Sequence, residues 1–404
     1  KMVAPLAEQM GDAYPELRDK AELISDTLLE EEQRFARTLD TGMGILKKVM
    51  EKAGQEERGE IDGGTAFLLY DTYGFPLDLT QDIAREKGLT VDQAGFDAAM
   101  AEQQARGRSG GKFEQQAQIS AEAVRDMVPT EFVGYDHADC DASVVAILQN
   151  GEVIEQLEDG DEAIVILDRT PFYAESGGQV GDIGSITVGE EARFEVSDTQ
   201  KQNDVYLHIG HLRSGELTTA SQVKAAIDED HRAAVMLNHS ATHLMHAALR
   251  QVLGDHVQQK GSLVDADKLR FDFSHYQPLE AAEITRIETL VNDQIRGNLA
   301  TRAELMDMES ARKTGAMALF GEKYGDVVRV LRIGSDSVEL CGGTHVPRAG
   351  DIGLFKIVHE TGIASGVRRI EAVTGEAAVR RFIDSETTLE SAAQKLKASR
   401  DDLL

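Results

Sequence analysis

The sequence predicts a multidomain protein of α and α+β type. A helical region spans residues 1–125, a small β-barrel 126–225, an α+β domain 226–375, and the start of a further helical region 376–404. Two observations predict this. Apolar residues recur at helical steps at first, switch to period two, and then alternate between the two regimes. A length of 404 residues leaves room for several cores, at roughly 150 residues per domain. Hydrophobic and charged contents of 41% and 28% fit an ordinary globular chain. No apolar run approaches the ~18 residues of a membrane-spanning helix, so no membrane partner is expected.

In the first region, Ile24, Leu28, Phe35, Leu39, Met43, Leu46 and Met50 fall on one helical face. Ser25 with Asp26 is the candidate start cap of that helix and Gly54 its candidate stop. An apolar helix through Phe67–Tyr70 runs to a break at Gly74-Phe75-Pro76, and a new helix begins near Leu79. GFDAAMAEQQARGR is a further helix, and SGGK closes the region as a glycine-rich connector.

From 126 to 225, SVVAILQNGEVIEQL and DEAIVILD read as strands, with Asn150-Gly151 as a hairpin turn. GSITV, ARFEVSD and VYLHIGHL continue the pattern. PFYAESGGQVGDIG is too rich in glycine for a strand. Gly177, Gly178, Gly181 and Gly184 permit positive φ and close backbone approach, but their setting is not that of a dinucleotide fingerprint.

From 226 to 375, DEDHRAAVMLNHSATHLMHAALRQVLG is a long helix and LRFDFSH a strand. A second long helix carries Ile284, Ile287, Leu290, Val291 and Ile295, and VVRVLRI and SVELC follow as strands. The arrangement expected is two long helices against an antiparallel sheet. Residues 376–404 are helical and polar, with heptad-like leucines.

The net charge of −29 opposes generic nucleic-acid binding through the global field. Local basic tracks at Arg106–Lys112, Arg368-Arg369, Arg380-Arg381 and Lys395–Arg400 stand against the reading of plain solvated charge. Two cysteines form no disulfide framework, which fits a reducing, cytoplasmic setting. The opening KMVAPLAEQM, without an initiator methionine, suits a piece of a longer protein.

One constellation carries chemistry. In HSATH, His239 and His243 are four residues apart, so both imidazoles leave one helix face. In CGGTH, Cys341 and His345 have the same separation across two glycines. Together they make a His₃Cys set that suits one tetrahedral Zn²⁺. Ser240 stands where a metalloprotease motif carries its general-base glutamate, so that chemistry is excluded. His246, three residues past His243, reads as a packed or outer-sphere histidine. Four protein ligands close a zinc shell, which leaves open whether the metal binds substrate or shapes the pocket.

YDTYGFPLDLT, FYAESGGQVGDIG, HSATHLMHAAL, QQKGSLV, LRFDFSH, AMALFGEKYGD, ELCGGTHV and GLFKIVHETGIASGVRRIEAVTG together closely resemble the bacterial alanyl-tRNA synthetases, from about residue 12 to 404. The resemblance implies that 1–125 is part of a helical tRNA-recognition region and 126–225 a barrel preceding an editing domain at 226–375. It places the ATP- and alanine-binding core upstream of Lys1, and makes 376–404 the start of a C-terminal region through which the protein is a candidate homo-oligomer. The implied partner is tRNA(Ala), and the implied reaction is hydrolysis of mischarged Ser-tRNA(Ala) and Gly-tRNA(Ala). The alternative is a non-catalytic tRNA-binding module with a structural zinc.

The same resemblance implies residue roles. His239, His243, Cys341 and His345 match the zinc ligands. Gln259 matches a pocket residue that orients water or the ester carbonyl, and Thr242 contacts the amino acid. Gly177, Gly178, Gln179 and Gly181 match a loop near the same region. Backbone N–H groups near Gly342-Gly343 are candidate oxyanion donors. Asp78 is the candidate reader of an acceptor-stem G·U pair, with Asp71 nearby and a helix-capping role open for either.

Overall fold

The computed structural model of the chain describes residues 2–19, 21–53, 59–108, 124–125, 127–317, 325–335 and 337–400. Gly54, the SGGK connector and most of AMALFGEKYGD lie outside the described residues. The chain divides into two units, Lys1–Gln115 and Gln116–Leu404.

The first unit contains the helices α1 (Val3–Met10), α2 (Ala21–Ala53), α3 (Gly63–Asp71), α4 (Leu77–Glu86) and α5 (Gln93–Arg108). Leu46, Ile61, Leu69, Phe75 and Ala84 form its core. Two local expectations change. Ser25 does not cap α2: the helix begins at Ala21, and the Ser25 hydroxyl donates to the Ala21 carbonyl one turn back. The predicted apolar face is covered only in its C-terminal half. Leu28 and Phe35 are each 48% exposed, because the core built with Ile61, Leu69 and Phe75 reaches no further back than Leu39. Asp62 caps α3 by accepting the Thr65 N–H at 2.9 Å. The predicted break falls at Gly74, with φ 63°, and Pro76 precedes α4.

The main strands of the first half of the second unit are β1 (Asp139–Gln149), β2 (Glu162–Leu167), β3 (Gly184–Val188), β4 (Ala192–Gln202), β5 (Val205–Ser214) and β6 (Gln222–Ile227). Their spatial order is β6-β3-β4-β5-β2-β1, and β1 pairs back onto β6. The six strands therefore close into an antiparallel barrel around Ile147, Val165, Phe194, Val196 and Leu212; closure removes exposed strand edges. Asn150 and Gly151 have φ of 51° and 85°. That is the primed turn whose twist matches a hairpin.

After the barrel come α6 (Glu229–Leu253), β7 (Gln259–Val264), β8 (Leu269–Ser274), α7 (Ala281–Arg296), β9 (Thr301–Asp307), β10 (Val327–Ile333), β11 (Ser337–Leu340), β12 (Phe355–Ala364), β13 (Val367–Thr374) and α8 (Gly375–Leu396). The strands make two antiparallel sheets rather than one, ordered β7-β8-β13-β12 and β9-β10-β11. One core containing Leu244, Phe271, Ile287, Leu331 and Ile370 joins both sheets to α6 and α7. Periodicity identifies strands but carries no partner information, which is why the split was not legible.

A buried ion pair fixes α6 against the barrel. Arg232, 7% exposed, donates through Nε to both Asp182 carboxylate oxygens at 2.9 and 3.0 Å. Its Nη1 and Nη2 donate to the carbonyls of Gly134 and Pro171 at 2.8 and 3.0 Å. Each guanidinium nitrogen thus has an acceptor, as a buried charge requires.

Candidate metal centre

Helix α6 is well started. Asp228 accepts the His231 N–H, and Glu229 and Asp230 sit in the first turn, where the helix dipole favours negative charge. Its middle, from Asn238 to His246, is buried without interruption. Polar groups there need partners, and His239 and His243 face the loop that follows β11. The four donors of His239, His243, Cys341 and His345 lie within 4.8 Å of one another. Cys341 Sγ is 3.5 Å from His239 Nε2 and 3.3 Å from His345 Nε2. Cys140 lies in β1 of the barrel and takes no part in this cluster.

The glycines of CGGTH have separate reasons. A Cβ on Gly343 would stand 2.1 Å from His239 Cε1 and 2.8 Å from Gln179 Oε1, so only glycine lets the loop approach α6. A Cβ on Gly342 would meet nothing closer than the Tyr135 hydroxyl at 3.9 Å. The Gly343 N–H points back to Cys341 Sγ at 3.4 Å, and the Thr344 N–H donates to Gln179 Oε1 at 2.9 Å. The Gly343 N–H, one of the expected oxyanion donors, lies against the Cys341 sulfur in this structure.

Each imidazole is oriented through its other nitrogen. Gln179 is fully buried. Its Nε2 donates to Thr344 Oγ1, so its Oε1 is an acceptor, and the His239 Nδ1–H donates to it at 2.7 Å. His243 Nδ1–H donates to Glu339 Oε2 at 2.9 Å, and His246 Nδ1–H to Glu339 Oε1 at 3.1 Å. His345 Nδ1 faces the Ser240 hydroxyl at 3.3 Å. These contacts leave the Nε2 atoms of His239 and His345 turned to the cluster, and His243 Nε2 is buried with no hydrogen-bond partner. A buried orphan nitrogen facing a thiol and two imidazoles fits a cation, and outer carboxylate or amide partners on ligating histidines are what such sites use.

The electrostatics agree. Burial opposes ionisation of Cys341, yet His239, His345 and His243 outweigh it and hold the thiol well below its usual range. Burial raises the Glu339 carboxyl, but His243 and His246 hold it at about 2. Burial pushes His345 down, with His239 adding to it, to about 3. These shifts favour the ionised forms of Cys341 and Glu339, and the same two groups outweigh burial to raise His243 to about 10.

The structure brings all four expected ligands together, but other expected residues stand differently. Thr242 is buried, and its hydroxyl donates to the Asn238 carbonyl one turn back at 2.9 Å. Gln259 opens β7 opposite Phe273, half-buried, with no hydrogen bond from its side chain to the four ligands among the described residues. Gly178 lies against β7, where its Cβ would stand 2.5 Å from the Ser262 carbonyl. Asp78 is exposed in the first turn of α4 and accepts from the Leu79 N–H. Asp71 ends α3 and accepts from Gln103, so it starts no helix. Arg368, Arg369, Arg380 and Arg400 of the basic tracks pair with Glu360, Asp272, Glu376 and Glu386; the track from Arg106 runs largely outside the described residues. Sequence reasoning missed Glu339 and Ser240. A signal existed for Glu339: strand alternation puts it on the same side as Cys341, two residues on.

Comparison with known proteins adds a family. A family model for class II (A) tRNA synthetases matches residues 1–231. A second, for the second additional domain of threonyl and alanyl tRNA synthetases, matches residues 328–371 and so contains Glu339, Cys341 and His345. The chain is 54% identical over 404 residues to an alanine–tRNA ligase of Methylococcus capsulatus. It is 53% identical to that of Stenotrophomonas maltophilia and 51% to that of Pseudomonas entomophila. In each case 100% of this chain and 46% of the relative are covered, so the chain spans about half the length of the relatives it matches. No helix among the described residues is long and apolar enough to cross a membrane.

Proposed function

This chain belongs to the class II tRNA synthetases, among the alanine–tRNA ligases, and on that premise we propose that it is an editing segment. It binds tRNA(Ala) and hydrolyses the ester of Ser-tRNA(Ala) and Gly-tRNA(Ala) at a centre holding one Zn²⁺. The observation that carries this is the His₃Cys cluster in which every imidazole is oriented by a separate partner. Sulfur and imidazole donors in tetrahedral number suit zinc. A hydrolytic second site answers a physical need: an alanine pocket cannot exclude glycine by size and rejects an added hydroxyl only modestly.

When bound, zinc supplies a positive charge that favours the developing negative charge of the ester carbonyl. The chain's own residues do the rest. Gln179, Glu339 and Ser240 hold His239, His243 and His345 with Nε2 inward. In the reaction a water oxygen bonds to the carbonyl carbon, the bond to the ribose oxygen breaks, and a proton passes to that oxygen. Gln259 orients the water or the carbonyl, its side chain being half-buried and without a competing hydrogen bond among the described residues. Thr242 contacts the amino acid. A polar pocket group such as the Gln259 amide favours serine over alanine, because a methyl would leave it unpaired. In the first unit, Asp78 is the reader of the acceptor stem; its carboxylate is exposed in the first turn of α4 and accepts one backbone N–H.

The test is release of free amino acid from Ser-tRNA(Ala) and from Ala-tRNA(Ala), for the wild-type chain and for Cys341→Ala and His243→Ala. Hydrolysis of the serine ester only, falling more than ~10-fold in both variants, about 1.4 kcal/mol of transition-state stabilisation, is expected. Four protein ligands complete a zinc shell, and this favours a second reading, a non-catalytic tRNA-binding module with structural zinc. Wild-type protein that binds zinc and tRNA(Ala) yet releases no serine establishes that reading instead.

A further inference from the structure

We infer that Arg329 and Tyr135 are positioning residues that set the shape of the metal-binding loop. Three consecutive carbonyls of that loop, Cys341, Gly342 and Gly343, are each held by a side chain from elsewhere in the fold. Arg329 Nη1, from β10, donates to the Cys341 and Gly343 carbonyls at 3.0 Å each. Tyr135, from the segment before β1, donates its hydroxyl to the Gly342 carbonyl. The two clamping groups also hold each other, with the Arg329 guanidinium 4.4 Å above the Tyr135 ring. Phe132 packs edge-on to the same ring at 5.0 Å.

A Cys-Gly-Gly segment has little conformational preference of its own. With its carbonyls drawn to one side, the Gly343 N–H is directed at Cys341 Sγ. The clamp thus fixes both the position of the sulfur and a donor that tempers its charge. A cavity of about 330 Å³ opens beside the clamp, lined by Tyr135, Arg232, Met236, Leu305, Arg329 and His345 among others. Tyr135 and Arg329 direct their hydrogen bonds to the loop, and Arg232 directs its own to Asp182 and two carbonyls. That favours a brace over a ligand seat.

The inference rests on the metal-centre part of the proposed function but not on hydrolysis, and its test reads metal binding alone. Zinc affinity is measured by chelator competition on the full chain, with the Co²⁺-substituted absorption spectrum and the urea midpoint of the metal-free protein. Arg329→Met is expected to weaken zinc by roughly 10- to 100-fold, the range for loss of an outer partner, and to shift the cobalt bands. Tyr135→Phe keeps the ring, loses one hydrogen bond, and is expected to weaken zinc several-fold. Arg329→Lys reaches the carbonyls without stacking and is expected to recover most of the affinity. Wild-type affinity and spectrum in both Arg329→Met and Tyr135→Phe overturn the inference. So does a fall in metal-free stability with an unchanged cobalt spectrum, which marks a merely structural residue, and so does a wild-type chain that binds no metal. Failure of hydrolysis with these shifts present removes the editing reading and leaves the clamp standing.

Discussion

Gly343→Ala is the sharpest perturbation of the candidate metal centre, because it changes neither charge nor a donor atom. The backbone at Gly343 is not in the left-handed region, so alanine meets no backbone strain there. The cost is steric. The new methyl would stand 2.1 Å from His239 Cε1 and 2.5 Å from Nδ1, more than an ångström inside the usual ~3.5 Å carbon contact. The ring or the loop must retreat by about that amount. A zinc–nitrogen bond is only about 2.0–2.1 Å long, so a retreat of this size removes His239 as a ligand. The methyl also enters the space of Gln179 Oε1, the acceptor that orients His239. Zinc affinity is expected to fall by at least ~100-fold, about 2.7 kcal/mol, beyond what loss of an outer partner alone usually does. Gly342→Ala is the control: its methyl meets nothing closer than 3.9 Å, and affinity should stay within about threefold of wild type. Chelator competition on both variants decides the matter. Equal, wild-type-like zinc affinity in Gly343→Ala refutes the claim that close approach of the loop to α6 is what requires glycine.

Gln259→Ala is expected to slow single-turnover deacylation of Ser-tRNA(Ala), by ~10²-fold if the amide faces the oxyanion and less if it only positions water, with zinc content and tRNA affinity unchanged; zinc loss in the same preparation would make the residue structural. Arg232→Met strands the buried Asp182 carboxylate and should destabilise the second unit by about 3–5 kcal/mol, read as a lower urea midpoint; a loss under about 1 kcal/mol would show that water reaches Asp182. His208 is fully buried in the barrel, donates Nδ1–H to the Val165 carbonyl and contacts Thr170 Oγ1, and burial pushes its pKa down to about 4. The unfolded chain therefore binds the proton first, so this contribution to stability is intact above about pH 6.5 and is lost as pH falls towards 4, by about 3 kcal/mol. Unfolding free energies of wild type and His208→Gln from urea titrations should converge by that amount over the window, and parallel curves would disprove it.

The reach of sequence reasoning can be followed through particular residues. The turn at Asn150-Gly151 was legible because a primed turn needs positive φ at two successive residues, and few residue types supply it. The start of α2 was misplaced because serine caps and serines inside a first turn look alike in one dimension, and only the Ser25 bond to Ala21 separates them. Thr242 and Gln259 came from a family likeness, and the fold gives the Thr242 hydroxyl a partner in its own helix.

The sequence by itself determined which four side chains form the cluster. The His–X₃–His and Cys–X₃–His spacings and the residue types are local properties, and a helix turn brings His239 and His243 together wherever the helix lies. Tertiary structure alone decided that the two halves, 102 residues apart between His239 and Cys341, converge on one point. It also decided that Gln179 reaches His239 from the barrel side and that Glu339 serves two histidines. It set Arg329 and Tyr135 around the loop as well. Such pairings arise from how packed surfaces meet, and periodicity within a segment carries no term for the surface it will face.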